Sequence, residues 1–307
     1  MALQIESPLD LYTRELFNEY LEFGKDSGRE LGNILSAYTF SKDNEIKCGI
    51  QSCRQGHQKG YLVTTSDGLE TIIGNQCGKK HLGEDFTRKT KIFREDQLRE
   101  SNLKTIQTLK LLLDPLSHAI DDLKPRASRL FQLKMTLSHT ARSLLKLVSE
   151  RAKIADPIVT GLVPMTETEA KREYFNSADG EKIEFPEWYQ KMLPKKRVTV
   201  AKLNGLPFFM QDLHKVLQQD VINPLNEVVG MQPGDAEKLK KKKLQELSTW
   251  VTRHEILLNR ARDLVRNGEA FFSPENIASL TFLLRELPHQ ERDSISDAIE
   301  SLKVAAG

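Results

Sequence analysis

All three cysteines of this 307-residue chain, with two of its seven histidines, fall between Cys48 and His81. Nothing else in the sequence limits the fold so tightly. An odd cysteine count argues against a disulfide framework, whereas cysteines and histidines in close pairs suit a metal. Zinc takes four soft or borderline ligands in a tetrahedron, and thiolates and imidazoles supply them. Cys48 and Cys53 make one pair, Cys77 and His81 the other, and these four are the preferred ligand set. His57 competes, because its distance from Cys53 also lets those two share an ion and displace Cys48. The plainer reading is three small buried apolar side chains with no metal.

The residues between the pairs say how they meet. Tyr61 to Thr65 has the β-branched and aromatic bias of a strand, Ser66-Asp67-Gly68 a turn, and Glu70 to Ile73 a second strand. Cys77 and His81, four apart, project from one face of a helix's first turn. Loop, hairpin and helix start, with two ligands at each end, is the order of a treble-clef finger. Four filled positions make a closed, fold-stabilising site, whereas a catalytic zinc keeps one for water. The His-Glu-x-x-His and deaminase patterns are absent, and no carboxylate stands in an obvious base position.

The run Gly60-Tyr-Leu-Val-Thr-Thr-Ser-Asp-Gly68, followed by Ile73-Gly-Asn-Gln-Cys77-Gly-Lys-Lys-His81-Leu-Gly83, resembles small treble-clef-like zinc modules of uncharacterised phage and prophage proteins. The resemblance covers residues 48–83 only. It implies a phage or bacterial origin and a zinc role for Cys53, Cys77 and His81, and brings no firm function with it.

The rest reads as helix. With 39% hydrophobic and 29% charged residues, no apolar run long enough to span a membrane and no secretory leader, the expectation is a cytoplasmic protein. Six segments are expected. They are N-terminal helices (1–40), the finger (41–85), a first helical arm (86–160), a β-containing tip (161–206), a second arm (207–268) and C-terminal helices (269–307). Leu9, Tyr12, Leu16, Tyr20 and Phe23 line one face of a helix over 7–23, and Leu31 to Tyr38 continues as a shorter one. Pro115 and Pro125 kink or break the first arm. Glu173 to Phe175 and Lys182 to Phe185 flank a turn as a hairpin. Leu244, Leu247, Val251, His254, Leu258, Ala261 and Val265 make a heptad seam closed by Gly268. The expected fold is thus mainly α, an elongated antiparallel helical hairpin or coiled coil with a small α+β zinc finger.

Net charge is +2 but uneven, with acidic ends and a basic middle, a distribution suited to a polyanion. No nucleotide loop, nucleophile elbow or kinase set appears, so an enzyme is not expected. The leading expectation is nucleic-acid binding, with Lys79, Lys80, Arg88, Lys89, Lys91 and Arg94 on phosphates. Trp188 and Tyr189 beside Lys195, Lys196 and Arg197 suggest a second contact surface or, more simply, a β-rich cap with an aromatic core. The alternative function is a phage-type protein-interaction module that regulates or inhibits a host protein complex, with the helical arms free to form a homo-oligomer.

Overall fold

The computed structural model describes residues 3–176 and 184–306. They are mainly helical, with small antiparallel sheets. Two units emerge, Met1–Thr105 with Ala236–Ser248, and Ile106–Asp235 with Thr249–Gly307. No helix among the described residues is long and apolar enough to cross a membrane.

The first unit holds α1 (Leu9–Tyr12), β1 (Leu31–Thr39), β2 (Ile46–Lys47), β3 (Gly56–His57), β4 (Lys59–Thr65), β5 (Glu70–Gly74) and most of α2 (Asn75–Lys110). Its sheet runs β1-β4-β5, all antiparallel. The expected hairpin forms as β4 and β5, with Tyr61 opposite Ile73 and Leu62 opposite Ile72. Both faces of this hairpin are buried. Tyr61, Val63 and Ile73 meet Cys48, Ile50, Cys77 and Phe86, while Leu62 and Ile72 meet Ile5, Leu11, Tyr38 and Phe40.

Two expected helices of this unit are not helices. Over residues 7–23 only α1 is helical, and Leu9, Tyr12 and Leu16 stand exposed. The chain instead satisfies the open edge of β5: Asn18 N donates to Glu70 O, and Glu70 N to Leu16 O, each at 2.8 Å. Arg14 clamps this path, its Nη2 on buried Glu70 Oε1 at 2.8 Å. Residues 31–39 form a strand. Bulges between Leu31 and Ile34 and between Ile34 and Ser36 break its two-residue alternation, so its apolar spacing imitates a helix.

The second unit contains α3 (Leu113–Thr140), α4 (Arg142–Lys153), β6 (Ile158–Pro164), α5 (Glu167–Asn176), α6 (Phe185–Met192) and β7 (Lys195–Lys202). A 3-10 turn (Leu206–Met210), a π-helix (Lys215–Ile222) and α7 (Asn223–Val229) follow. Beyond α8 (Asp235–Lys238) and α9 (Lys241–Phe271) come α10 (Pro274–Ser279) and α11 (Arg292–Ala306). Pro115 sits in the first turn of α3, where its missing N–H costs nothing, and α3 continues past Pro125. Glu173 to Phe175, expected as a strand, lies in α5, which Thr166 and Glu169 start as a reciprocal cap: Glu169 Oε2 accepts from Thr166 N at 3.0 Å. Of the turn expected at 176–180, Asn176 ends α5 and the rest lies outside the described residues, as do residues 182 and 183 of the expected second strand, whose Phe185 opens α6. The β-character of this region resides in the antiparallel pair β6–β7.

The second arm is two passes rather than one. Residues 206–229 run antiparallel to α3, with Lys134 over the Phe208 ring at one end and Lys110 Nζ on Met231 O at the other. In the second unit α9 runs parallel to α3. Pro115, Leu116 and Ala119 share a cavity with His254 and Leu258, and further along Arg126 pairs with Glu269 at 2.7 Å. The glycines and proline of 230–234 allow the chain to turn between the passes. Gly268 does not close α9 but lies inside it. A Cβ there would stand 2.7 Å from Leu130 Cδ1 and 2.9 Å from the Phe208 ring.

Candidate metal centre

The short pair β2–β3 sets Ile46 opposite His57 and Lys47 opposite Gly56, so residues 48–55 form its loop. Cys48 N donates to Gln55 O at 2.9 Å, closing that loop. Cys53 N and Arg54 N both donate to Ile50 O, at 2.8 and 3.2 Å, and Arg54 turns the chain with φ of 49°. The result is a tight knuckle. Across from it, β5 delivers the chain into α2, whose first turn carries Cys77. Gly78 lets the Phe86 ring lie on this turn, since a Cβ there would be 2.4 Å from Phe86 Cζ. Gly83 makes that possible by breaking the helix geometry at φ of 56°.

The sulfurs of Cys48, Cys53 and Cys77 lie within 4.8 Å of one another. Cys48 and Cys77 are buried, and Cys53 is half-buried. Two zinc–sulfur bonds of about 2.3 Å at the tetrahedral angle hold sulfurs about 3.8 Å apart, so small side-chain adjustments suffice to enclose an ion. The surroundings favour negative sulfur. The N–H groups of Ile50 and Gly74 donate to Cys48, and that of Gln55 to Cys53. Backbone donors of this kind steady thiolate ligands.

Without an ion the three thiols settle unequally. Burial pushes Cys48 up, and it pushes Cys77 up to about 12 with help from hydrogen bonds and charge at its cysteine neighbours. Burial also opposes ionisation of Cys53, but the Gln55 N–H, donation from Cys77 and Cys48, and the charge of Lys80 outweigh it and lower that thiol. Cys53 is thus the thiol that gives up its proton most readily, and a dication would displace the protons that the buried Cys48 and Cys77 hold.

Neither histidine belongs to the group of three. His81 is exposed on α2, one turn beyond Cys77. His57 Nε2 shares a hydrogen bond with Tyr38 Oη at 2.7 Å and Nδ1 lies 3.3 Å from Gln55 O. Burial lowers the His57 imidazole's pKa. Gln55, which sequence reasoning passed over, touches the whole centre, its Oε1 3.8 Å from Cys77 Sγ. Its place two residues after Cys53 was the available signal.

The basic residues after the centre are not equivalent. Lys79, Lys80 and Lys91 are exposed. Arg88 is paired with Asp85 at 2.6 Å. Lys89 reaches back to Leu31 O and pairs with Asp85 at 3.1 Å. Arg94 lies over the Tyr61 ring, 5.5 Å from its centroid. Three of the six therefore serve the module's own packing as well as its surface charge. In comparisons with protein-family models, curated proteins and solved structures, nothing matches this chain.

Proposed function

We propose that the first unit is a non-enzymatic, zinc-stabilised module of treble-clef type that binds nucleic acid through the basic surface at the start of α2. The convergence of three thiols to within 4.8 Å, from a knuckle and a helix start, carries the metal part. His81 completes the tetrahedron in this reading, since it follows Cys77 by one turn and its side chain is exposed and free to rotate inward. His57 is the other candidate. Cobalt substitution separates them: His81→Ala shifts the visible d–d bands of the cobalt form, and His57→Ala leaves them unchanged. The reverse result transfers the ligand to His57.

Nucleic-acid binding is supported by Lys79 and Lys80, which stand exposed beside the centre while Cys77 points inward. Lysines at a helix start oppose the helix dipole, a placement relieved by an anionic partner. The test is anisotropy titration of labelled nucleic acid over a range of salt. Lys79→Glu with Lys80→Glu and Lys91→Glu weakens binding about tenfold or more and flattens its salt dependence, with zinc content unchanged. Unaltered affinity and slope in the folded variant refute the reading. A second reading, docking on a host protein complex, draws on Leu9, Tyr12 and Leu16, large apolar side chains exposed in the N-terminal segment. A partner that survives nuclease treatment and is lost on Leu9→Ser with Leu16→Ser favours it.

A further inference from the structure

The β6–β7 pair carries its charges on one face. Cross-strand neighbours share a face, and the pairs Pro164–Lys195, Leu162–Arg197, Thr160–Thr199 and Ile158–Lys202 alternate with pairs that face the other way. Lys195, Arg197 and Lys202 are all exposed on this face, and none of its eight side chains is a carboxylate. The opposite face is the packed one. Val159 and Gly161 are buried there, and Lys196 pairs with Glu169.

The third cation owes its place to an irregularity. Simple alternation from Lys195 and Arg197 continues outward through Thr199 to Ala201, and would turn Lys202 inward. The register slips between Val159 and Thr160, leaving Val200 as an extra residue, and Lys202 comes back to the outer face. A bulge gives up regular ladder pairing, and bulges commonly serve to re-aim a side chain. Nearby acids are already engaged: Arg151 holds Asp156 at 2.8 Å and Glu286 at 2.7 Å.

We infer that this face of the β6–β7 ribbon is a binding surface for double-stranded DNA. A two-stranded ribbon fits the major groove of B-form DNA, about 12 Å wide. Lys195 and Arg197, two residues apart, stand about 7 Å from each other along the strand, so both can reach phosphates of one DNA backbone, which carries a charge for about every 3.4 Å of helix axis. Single strands are held chiefly by aromatic stacking. Of the nearby aromatics, Trp188 is buried against Ala170 and Tyr174, and Tyr189 Oη donates to Met165 O at 3.0 Å, while Phe175 of α5 stands exposed and belongs to neither strand of the ribbon. A-form RNA has a major groove too narrow for side chains. The inference uses different residues from the basic surface at the start of α2 and stands or falls separately from it.

The test uses the full chain and a fluorescein-labelled mixed-sequence DNA duplex of about two helical turns, titrated by anisotropy at several salt concentrations. Lys195→Gln with Arg197→Gln and Lys202→Gln is expected to cut affinity at least about tenfold. It also reduces the log–log salt slope by about 2.7, three phosphates at about 0.9 each. Measuring Lys79→Glu/Lys80→Glu/Lys91→Glu in parallel shows which surface binds, because each triple variant leaves the other surface intact. A melting curve confirms that the ribbon variant folds. Should the triple glutamine variant not fold, the single Arg197→Gln, at an exposed position, is read for a slope change of about 0.9. Wild-type affinity and slope in the ribbon variant overturn the inference, as does equal binding of an RNA duplex or a single strand of the same length. A variant that binds as wild type but aggregates shows that the cations guard open strand edges instead, and the inference fails.

Discussion

Burial raises the Cys48 and Cys77 thiols, so without an ion these two sulfurs hold their protons. A bound dication removes those protons, so zinc affinity falls as pH falls. Purified protein is expected to carry about one zinc per chain by elemental analysis. Cys77→Ser should drop this below half an equivalent and abolish hydrogen-exchange protection of β4 and β5. Retained zinc and protection in that variant would remove the metal from the account. Gly78 offers a milder test of the same turn. Gly78→Ala sets a methyl against the Phe86 ring and should cost about 1–3 kcal/mol by thermal or urea melting, the usual range for an overfilled core.

The elements most legible in the sequence are those whose pattern is unbroken. Tyr61 to Thr65, the Asp67-Gly68 turn and Glu70 to Ile73 form the expected hairpin because period and turn chemistry agree. The apolar positions of the α9 seam, from Leu244 to Val265, are buried as read. The cysteines were legible by type, since so few residues can hold a metal. What misled is equally local. The bulges of β1 gave Leu31, Ile34 and Tyr38 a helical spacing, and the demand of the β5 edge on residues 16–18 leaves no trace in their own sequence. Gly268 read as a stop signal, yet its missing side chain makes room for Leu130 and Phe208 within α9. Gly268→Ala should therefore lower the melting temperature even though alanine is the better helix former, by about 1–3 kcal/mol of overpacking. The start of α5 allows a pH test. The Lys196 ammonium, then the Thr166 N–H, hold the Glu169 carboxyl near about 2, below its ordinary 4.5. A carboxylate lowered on folding stabilises fully above its unfolded pKa and loses that contribution as pH falls. Glu169→Gln should thus melt below wild type above about pH 5, and the gap should close by about pH 2.

At the scale of the whole chain, the first unit is assembled from two distant stretches, Met1–Thr105 and Ala236–Ser248. The second stretch is tied in by specific contacts: Arg99 Nη1 donates to Leu239 O at 3.2 Å, and Lys241 Nζ meets Glu95 at 2.7 Å, with Leu244 and Leu247 buried. A fragment ending at Thr105 should therefore melt at a lower temperature than one in which 236–248 is joined back by a flexible linker. Equal melting of the two would show the second stretch to be dispensable. The same division has a temporal side. On the ribosome the metal ligands emerge early, whereas the strip that completes their unit must wait for all of Ile106–Asp235 to be made. At about 5–20 residues per second that is a delay on the order of ten seconds. During this interval the ion, once captured, would hold the knuckle, the hairpin and the helix start together while the rest of their unit is still missing.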